Sequence, residues 1–154
     1  MTKFKLLNVA LKIFISVLLL GIACQIAILF LLDPEMLEKI NSKVPGSMYS
    51  AILLTTLLSI GLVQVQLSFA SFGRLGYFNL KSSGYLKTGG LTLIFFSLAS
   101  SVHNLFIISY LSTESILLNF IMYSIILLIG VGLMAVADIL AKGEIIEREN
   151  SLTI

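Results

Sequence analysis

Few side chains in this sequence could perform chemistry, and they form no catalytic or metal-binding motif. The chain has one histidine, His103, and one cysteine, Cys24, which fall in different apolar segments without a nearby carboxylate. A single cysteine can form neither an intramolecular disulfide nor a cysteine metal site. The sequence also lacks the metalloprotease, P-loop and paired-carboxylate patterns. It therefore predicts a protein that is not an enzyme and that needs no metal or cofactor.

The elements that must position these side chains are long and apolar. Apolar residues make up 58% of the chain and charged residues 12%, whereas soluble domains carry about 25% charged residues. A run of roughly 18 apolar residues marks a transmembrane helix. Four segments are longer than that, at about residues 5–32, 48–72, 91–112 and 116–140. The sequence thus predicts one all-α membrane domain, residues 1–154, built as an antiparallel bundle of four transmembrane helices.

The basic residues predict how this bundle is oriented, because cytoplasmic loops are enriched in lysine and arginine. The loop between the first two segments holds Lys39 and Lys43, and the other eight of the ten basic residues fall on the opposite side. This distribution places both termini, the 73–90 loop and the 141–154 tail in the cytoplasm. The net charge of +2 is too small for direct nucleic-acid binding, which requires a basic stripe.

Three polar side chains lie at a common depth in the predicted bundle. Gln25 follows Ile13 by 12 residues, and His103 follows Leu91 by 12 residues, so both lie about 18 Å from the cytoplasmic edge. Asn104 is adjacent. We expect these three side chains to form a hydrogen-bonded layer between the first and third spans, worth about 0.6–2 kcal/mol per bond. The alternative is a proton- or ligand-sensitive site, since ionisable residues inside a membrane are usually functional.

A second ionisable residue, Asp138, lies near the end of the fourth segment. It is within about one turn of the cytoplasmic edge, where charge is far less costly than at the bilayer centre. We expect it to reach interfacial water or to pair with Lys142, four residues further on. In the inner loop, residues 79–88 (NLKSSGYLKT) predict a short interfacial helix. Gly89-Gly90 then opens the third span.

The C-terminal tail is the second candidate site. The fourth span is expected to continue as a cytoplasmic helix through about Glu147. The apolar residues beyond that point need a partner to cover them. The tail therefore predicts a docking surface formed by Leu152 and Ile154, with Glu147 and Glu149 setting its charge preference. A frayed terminus is the alternative.

The same tail carries a resemblance to a known family. Residues 134–154, MAVADILAKGEIIERENSLTI, end in E-N-x-L-T-I after an apolar-alanine-acid pattern. This ending resembles a family of small four-span bacterial membrane proteins, catalogued as domain of unknown function twenty-nine seventy-five. The inner loop is similar to that family at Phe78, Leu86 and Gly90. The chain departs from the family pattern where Tyr77 replaces a proline, where Tyr85 and Lys87 replace arginines, and where Ser151 in the tail replaces an acid.

The resemblance implies a location and a kind of partner. Members lie in the bacterial cytoplasmic membrane, and their genes are commonly neighbours of a Cro/C1-type helix-turn-helix regulator. The leading hypothesis is therefore a sensor or membrane anchor that binds such a regulator. Two alternatives remain open. One is a small transport or immunity protein that binds a solute or toxin at the polar layer, and the other is a structural subunit of a larger membrane complex.

Overall fold

The structure is a computed structural model that describes residues 2–43, 46–75 and 79–152, and these residues form helices and turns but no strand. Four of the helices are long and apolar enough to cross a membrane, so the chain is a multi-pass membrane protein, as its composition predicts. In chain order the helices are α1 (Thr2–Leu31), α2 (Pro34–Lys43), α3 (Ser47–Leu75), α4 (Leu80–Phe106) and α5 (Thr113–Ser151). A short 3-10 helix, Ile108–Tyr110, lies between the last two.

The connection between α1 and α3 contains the helix α2, where the sequence predicts only a loop. Pro34 occupies the first position of α2, where its fixed φ suits a helix and its missing N–H costs no hydrogen bond. Glu35 lies in the first turn of the same helix and interacts favourably with its positive end. Gly46 then takes a φ of 68°. Glycine adopts this left-handed conformation readily, and α3 begins at the next residue.

Helix α4 differs from the sequence prediction at its start. The expected interfacial helix at 79–88 is not a separate element, because these residues form the first turns of one continuous helix that runs through Gly89 and Gly90. Asn79 caps it, and its side-chain oxygen accepts the N–H of Ser82 at 2.7 Å. The sequence predicts that the third span starts after Gly89-Gly90, whereas the apolar helix extends without a break over Leu80–Phe106. Both glycines are buried, so they serve helix packing and do not end the helix.

Helix α5 confirms that the last span continues beyond Leu140 as helix. It extends over 39 residues and ends at Ser151, four residues later than the predicted boundary at Glu147. Its first turn is capped by Ser112, whose side chain accepts the N–H of Ser115 at 3.3 Å.

The helices do not all contact one another equally. Helix α4 packs against both α3 and α5, and α1 packs against α3. The residues buried between them include Val65, Leu86, Leu93 and Ala137. Most of the large apolar side chains instead point outwards, as Phe30 and Leu105 do. This distribution suits a bilayer, where lipid tails are as apolar as leucine and helices associate mainly through close packing.

Candidate functional site

The interface between α4 and α5 is built on small residues spaced by seven. Gly90 approaches Gly130 so closely that a Cβ on Gly90 would lie 2.6 Å from the Gly130 carbonyl oxygen. One heptad earlier, Ser83 Oγ donates to the carbonyl of Ala137 at 2.8 Å. One heptad later, Ser97 Oγ donates to the carbonyl of Tyr123 at 2.6 Å. Small residues with hydroxyl groups thus allow the two backbones to meet and bond across the contact.

A parallel stripe on the neighbouring face of α4 contacts α3. Ser82 and Gly89 belong to it, and they directly precede the α5-facing residues Ser83 and Gly90 in the sequence. Ser68 Oγ of α3 donates to the carbonyl of Ser82 at 2.8 Å. A Cβ on Gly89 would lie 2.9 Å from Cγ2 of Val65 and 3.1 Å from the carbonyl oxygen of Gly61. Helix α4 is therefore fixed between its two neighbours by two heptad stripes.

Asn104 is the next member of the α5-facing stripe, and His103 lies two heptads after Gly89 on the α3-facing stripe. His103 Nε2 lies 3.1 Å from Ser50 Oγ of α3, a hydrogen bond whose direction depends on the histidine tautomer. The side chain of Asn104 interacts with that of Tyr123 of α5. The structure thus brings each of the two residues to a different neighbouring helix.

Gln25 does not join them. Its Oε1 is buried and accepts no hydrogen bond from the residues that the structure describes. The predicted bond from Gln25 to His103 or Asn104 is not formed, because the main neighbour of α1 is α3 and not α4. Two side chains at equal depth in the bilayer can bond to each other only if their helices are adjacent.

Ser50 and Tyr123, the side chains that interact with His103 and Asn104, were not predicted from the sequence. A usable signal existed in the seven-residue spacing of Ser83, Gly90 and Ser97. A small-residue stripe with that period indicates a helix packing seam. Extending the stripe by one heptad reaches Asn104. That assignment makes the polar residues of α4 interhelical contacts with α3 and α5.

Asp138 also has a different partner from the one expected. Lys87 Nζ of α4 lies 3.0 Å from Asp138 Oδ1, and both side chains are more than half exposed. The packing of α4 on α5 explains why Asp138 pairs with Lys87. Ser83 of α4 donates a hydrogen bond to the carbonyl of Ala137, the residue next to the aspartate, and this contact brings the two helices together there. Exposed ion pairs of this kind contribute about 0–1 kcal/mol.

The described tail residues lie on the last turns of α5 and immediately after it. Glu147 and Glu149 are exposed, and Leu152 is 87% exposed just after the helix. Ile154, the fourth residue of the predicted docking surface, lies outside the described residues. Ile145 and Ile146 are also more than half exposed. The extension therefore presents apolar and acidic side chains together.

Comparisons with known proteins add no identification. No protein-family model matches the chain, and neither curated proteins nor solved structures include a match. The resemblance of the tail to the four-span bacterial family stays a prediction. In the described part of the chain, no three histidine, cysteine or acidic side chains are grouped so that they could hold a metal ion.

Proposed function

We propose that this protein is a non-enzymatic membrane anchor that holds a regulatory protein at the cytoplasmic face of a bacterial inner membrane. The observation that carries the proposal is the length of α5. Its 39 residues extend about 58 Å at 1.5 Å per residue. The hydrocarbon core of a bilayer is about 30 Å thick. The last turns of this helix therefore have to lie outside the hydrocarbon core.

The cytoplasmic side is assigned from charge. Lys12 in the N-terminal half of α1, Lys81 near the start of α4 and Lys142 near the end of α5 belong to the larger set of basic residues. We call the end of the bundle that carries them the basic end. The excess of lysine and arginine there supports a cytoplasmic location, and with it both termini inside.

The antiparallel arrangement is supported by the order of the contacts. Along α4 from Ser83 to Gly90 to Ser97, the partners on α5 descend from Ala137 to Gly130 to Tyr123. The partners on α3 descend in the same way, from Ser68 at Ser82 to Ser50 at His103. Such an up-and-down bundle returns α5 to the end at which α1 begins.

The chemistry of the α5 extension favours a basic protein partner. Exposed Ile146 and Leu152 offer apolar contact area, and Glu147 and Glu149 supply negative charge beside them. A DNA-binding regulator carries positive charge for its phosphate contacts. A helix-turn-helix regulator, which the family resemblance implies, would fit this surface. Binding to the tail would hold the regulator away from its operator by mass action.

Site-specific photocrosslinking tests the proposal in the full-length protein in native membranes. A photoreactive amino acid replaces Leu152 in one variant and Leu118 in a matched control, since Leu118 is an exposed leucine near the opposite end of α5. We expect a soluble helix-turn-helix protein to crosslink from position 152 and not from 118. Truncation after Arg148 should leave insertion unchanged, abolish recovery of this partner and change expression from its operator.

The same experiment can reject the proposal. A truncated protein that retains its partner and leaves operator expression unchanged would exclude the tail as the docking surface. The transport alternative required a shared site for Gln25, His103 and Asn104. Since Gln25 forms no hydrogen bond with either of the other two, no observation favours that alternative, and we do not propose it.

A further inference from the structure

A cavity at the basic end has not been used by the proposed function. It measures about 470 Å³ and lies between α1, α3 and α4. Its polar lining comes from three helices: Lys12 of α1, Gln66 and Ser71 of α3, and Lys81 and Tyr85 of α4. Leu67 and Ala70 of α3 add an apolar wall to the same cavity.

The charge of this cavity is one-sided. Two ammonium groups line it and no carboxylate does. Within the described residues, neither Lys12 nor Lys81 has an ion-pair partner, in contrast to Lys87, which pairs with Asp138. Two like charges facing one space repel each other, and an anion between them would remove that repulsion. The positive charge of the cavity lining therefore favours the binding of a negatively charged group.

The neutral side chains of the lining can also contribute to binding an anion. Ser71 is 8% exposed, and its hydroxyl can donate a hydrogen bond, as can that of Tyr85. Gln66 is held in place by its own contact, since its Nε2 donates to Asn8 Oδ1 of α1 at 2.9 Å. The start of α4 lies beside the cavity through Lys81, and the positive end of a helix dipole favours an anion there. A phosphate group, with several acceptor oxygens, uses more of these donors than a carboxylate does.

The position of the cavity indicates which phosphate is available. No charged residue follows Lys12 before Asp33, and Lys81 lies at the start of α4, so we place the cavity near the boundary between hydrocarbon and headgroups. Basic pockets between transmembrane helices on the cytoplasmic side bind anionic lipid headgroups. Leu67 and Ala70 provide the apolar surface that an acyl chain needs. We propose that this cavity binds the phosphate of an anionic phospholipid, with Lys12 and Lys81 as its two charged contacts.

Native mass spectrometry of the full-length protein in mild detergent tests this site. The probes are phosphatidylglycerol, which is anionic, and phosphatidylcholine, which has the same phosphate but no net charge. Lys12→Gln and Lys81→Gln should each weaken phosphatidylglycerol binding roughly fivefold, the effect of about one surface lysine. The matched control is Lys142→Gln, which removes the same charge from the basic end without touching the cavity. It should change binding less than twofold.

Two further measurements identify the source of the phosphate and distinguish loss of the site from misfolding. Excess inorganic phosphate, compared with chloride at equal ionic strength, should not displace the lipid. Displacement that depends on Lys12 and Lys81 would reject the lipid and identify a free phosphate as the ligand. Lys12→Arg and Lys81→Arg keep the charge and should keep lipid binding, which separates loss of the site from loss of the fold. Equal binding by the two glutamine variants and by Lys142→Gln, or equal retention of both lipids, would overturn the proposal.

Discussion

Replacing Gly130 by alanine should separate α4 from α5 and destabilise the bundle. A Cβ at this position would lie 2.8 Å from the carbonyl oxygen of Gly90 and 2.8 Å from Cγ1 of Ile94. The first of these is a backbone atom, so it cannot move unless the helix moves. Overpacking of this kind costs about 1–3 kcal/mol. In the opposite direction, alanine is favoured over glycine within a helix by about 1 kcal/mol.

Gly132 provides the matched control, because it lies two residues further along the same helix and a Cβ there meets nothing within 4 Å. Gly130→Ala and Gly132→Ala share the gain in helix propensity and differ in the clash. The difference in free energy of unfolding between the two variants should therefore be about 1–3 kcal/mol, with Gly130→Ala the less stable. The assay is steric trapping or reversible denaturation in mixed detergent micelles. Variants of equal stability would show that the glycine contact does not hold the helices together.

Three further predictions follow from the polar contacts and from the orientation. A double-mutant cycle of Ser50→Ala and His103→Ala should give a coupling energy of about 0.6–1.7 kcal/mol, and a coupling of zero would mean that the two side chains do not bond in the membrane. Gln25→Leu should stabilise the bundle by about 1 kcal/mol, because it removes a buried acceptor that no described residue satisfies; a loss of stability would indicate a partner for Gln25. In a cysteine-free variant of the chain, a membrane-impermeant reagent applied to intact cells should label a cysteine at Thr113 and miss one at Lys81. Labelling at position 81 would contradict the proposed orientation.

The sequence by itself determined the class of the protein and the number of its long helices. Long apolar runs have one physical solution in a bilayer, since a helix satisfies its backbone hydrogen bonds internally. The continuation of α5 beyond Leu140 was likewise readable, because proline is absent from the chain after Pro45. The start of α4 was misjudged, and the helix α2 was treated as a loop. Gly89 and Gly90 look like a helix boundary in isolation, and their role in packing depends on Val65 and Gly130 from other helices.

Which helices are neighbours was decided only by the tertiary structure. Hydropathy gives the depth of Gln25 and His103 in the bilayer but not the direction in which either side chain points. Direction depends on how each helix is rotated against its neighbours, and in a membrane this is set by the fit of small residues. The close contact of Gly90 with Gly130 places α5 against α4, and α1 is left to pack on α3. For that reason His103 meets Ser50, and Lys12 and Lys81 line one cavity although they are 69 positions apart in the sequence.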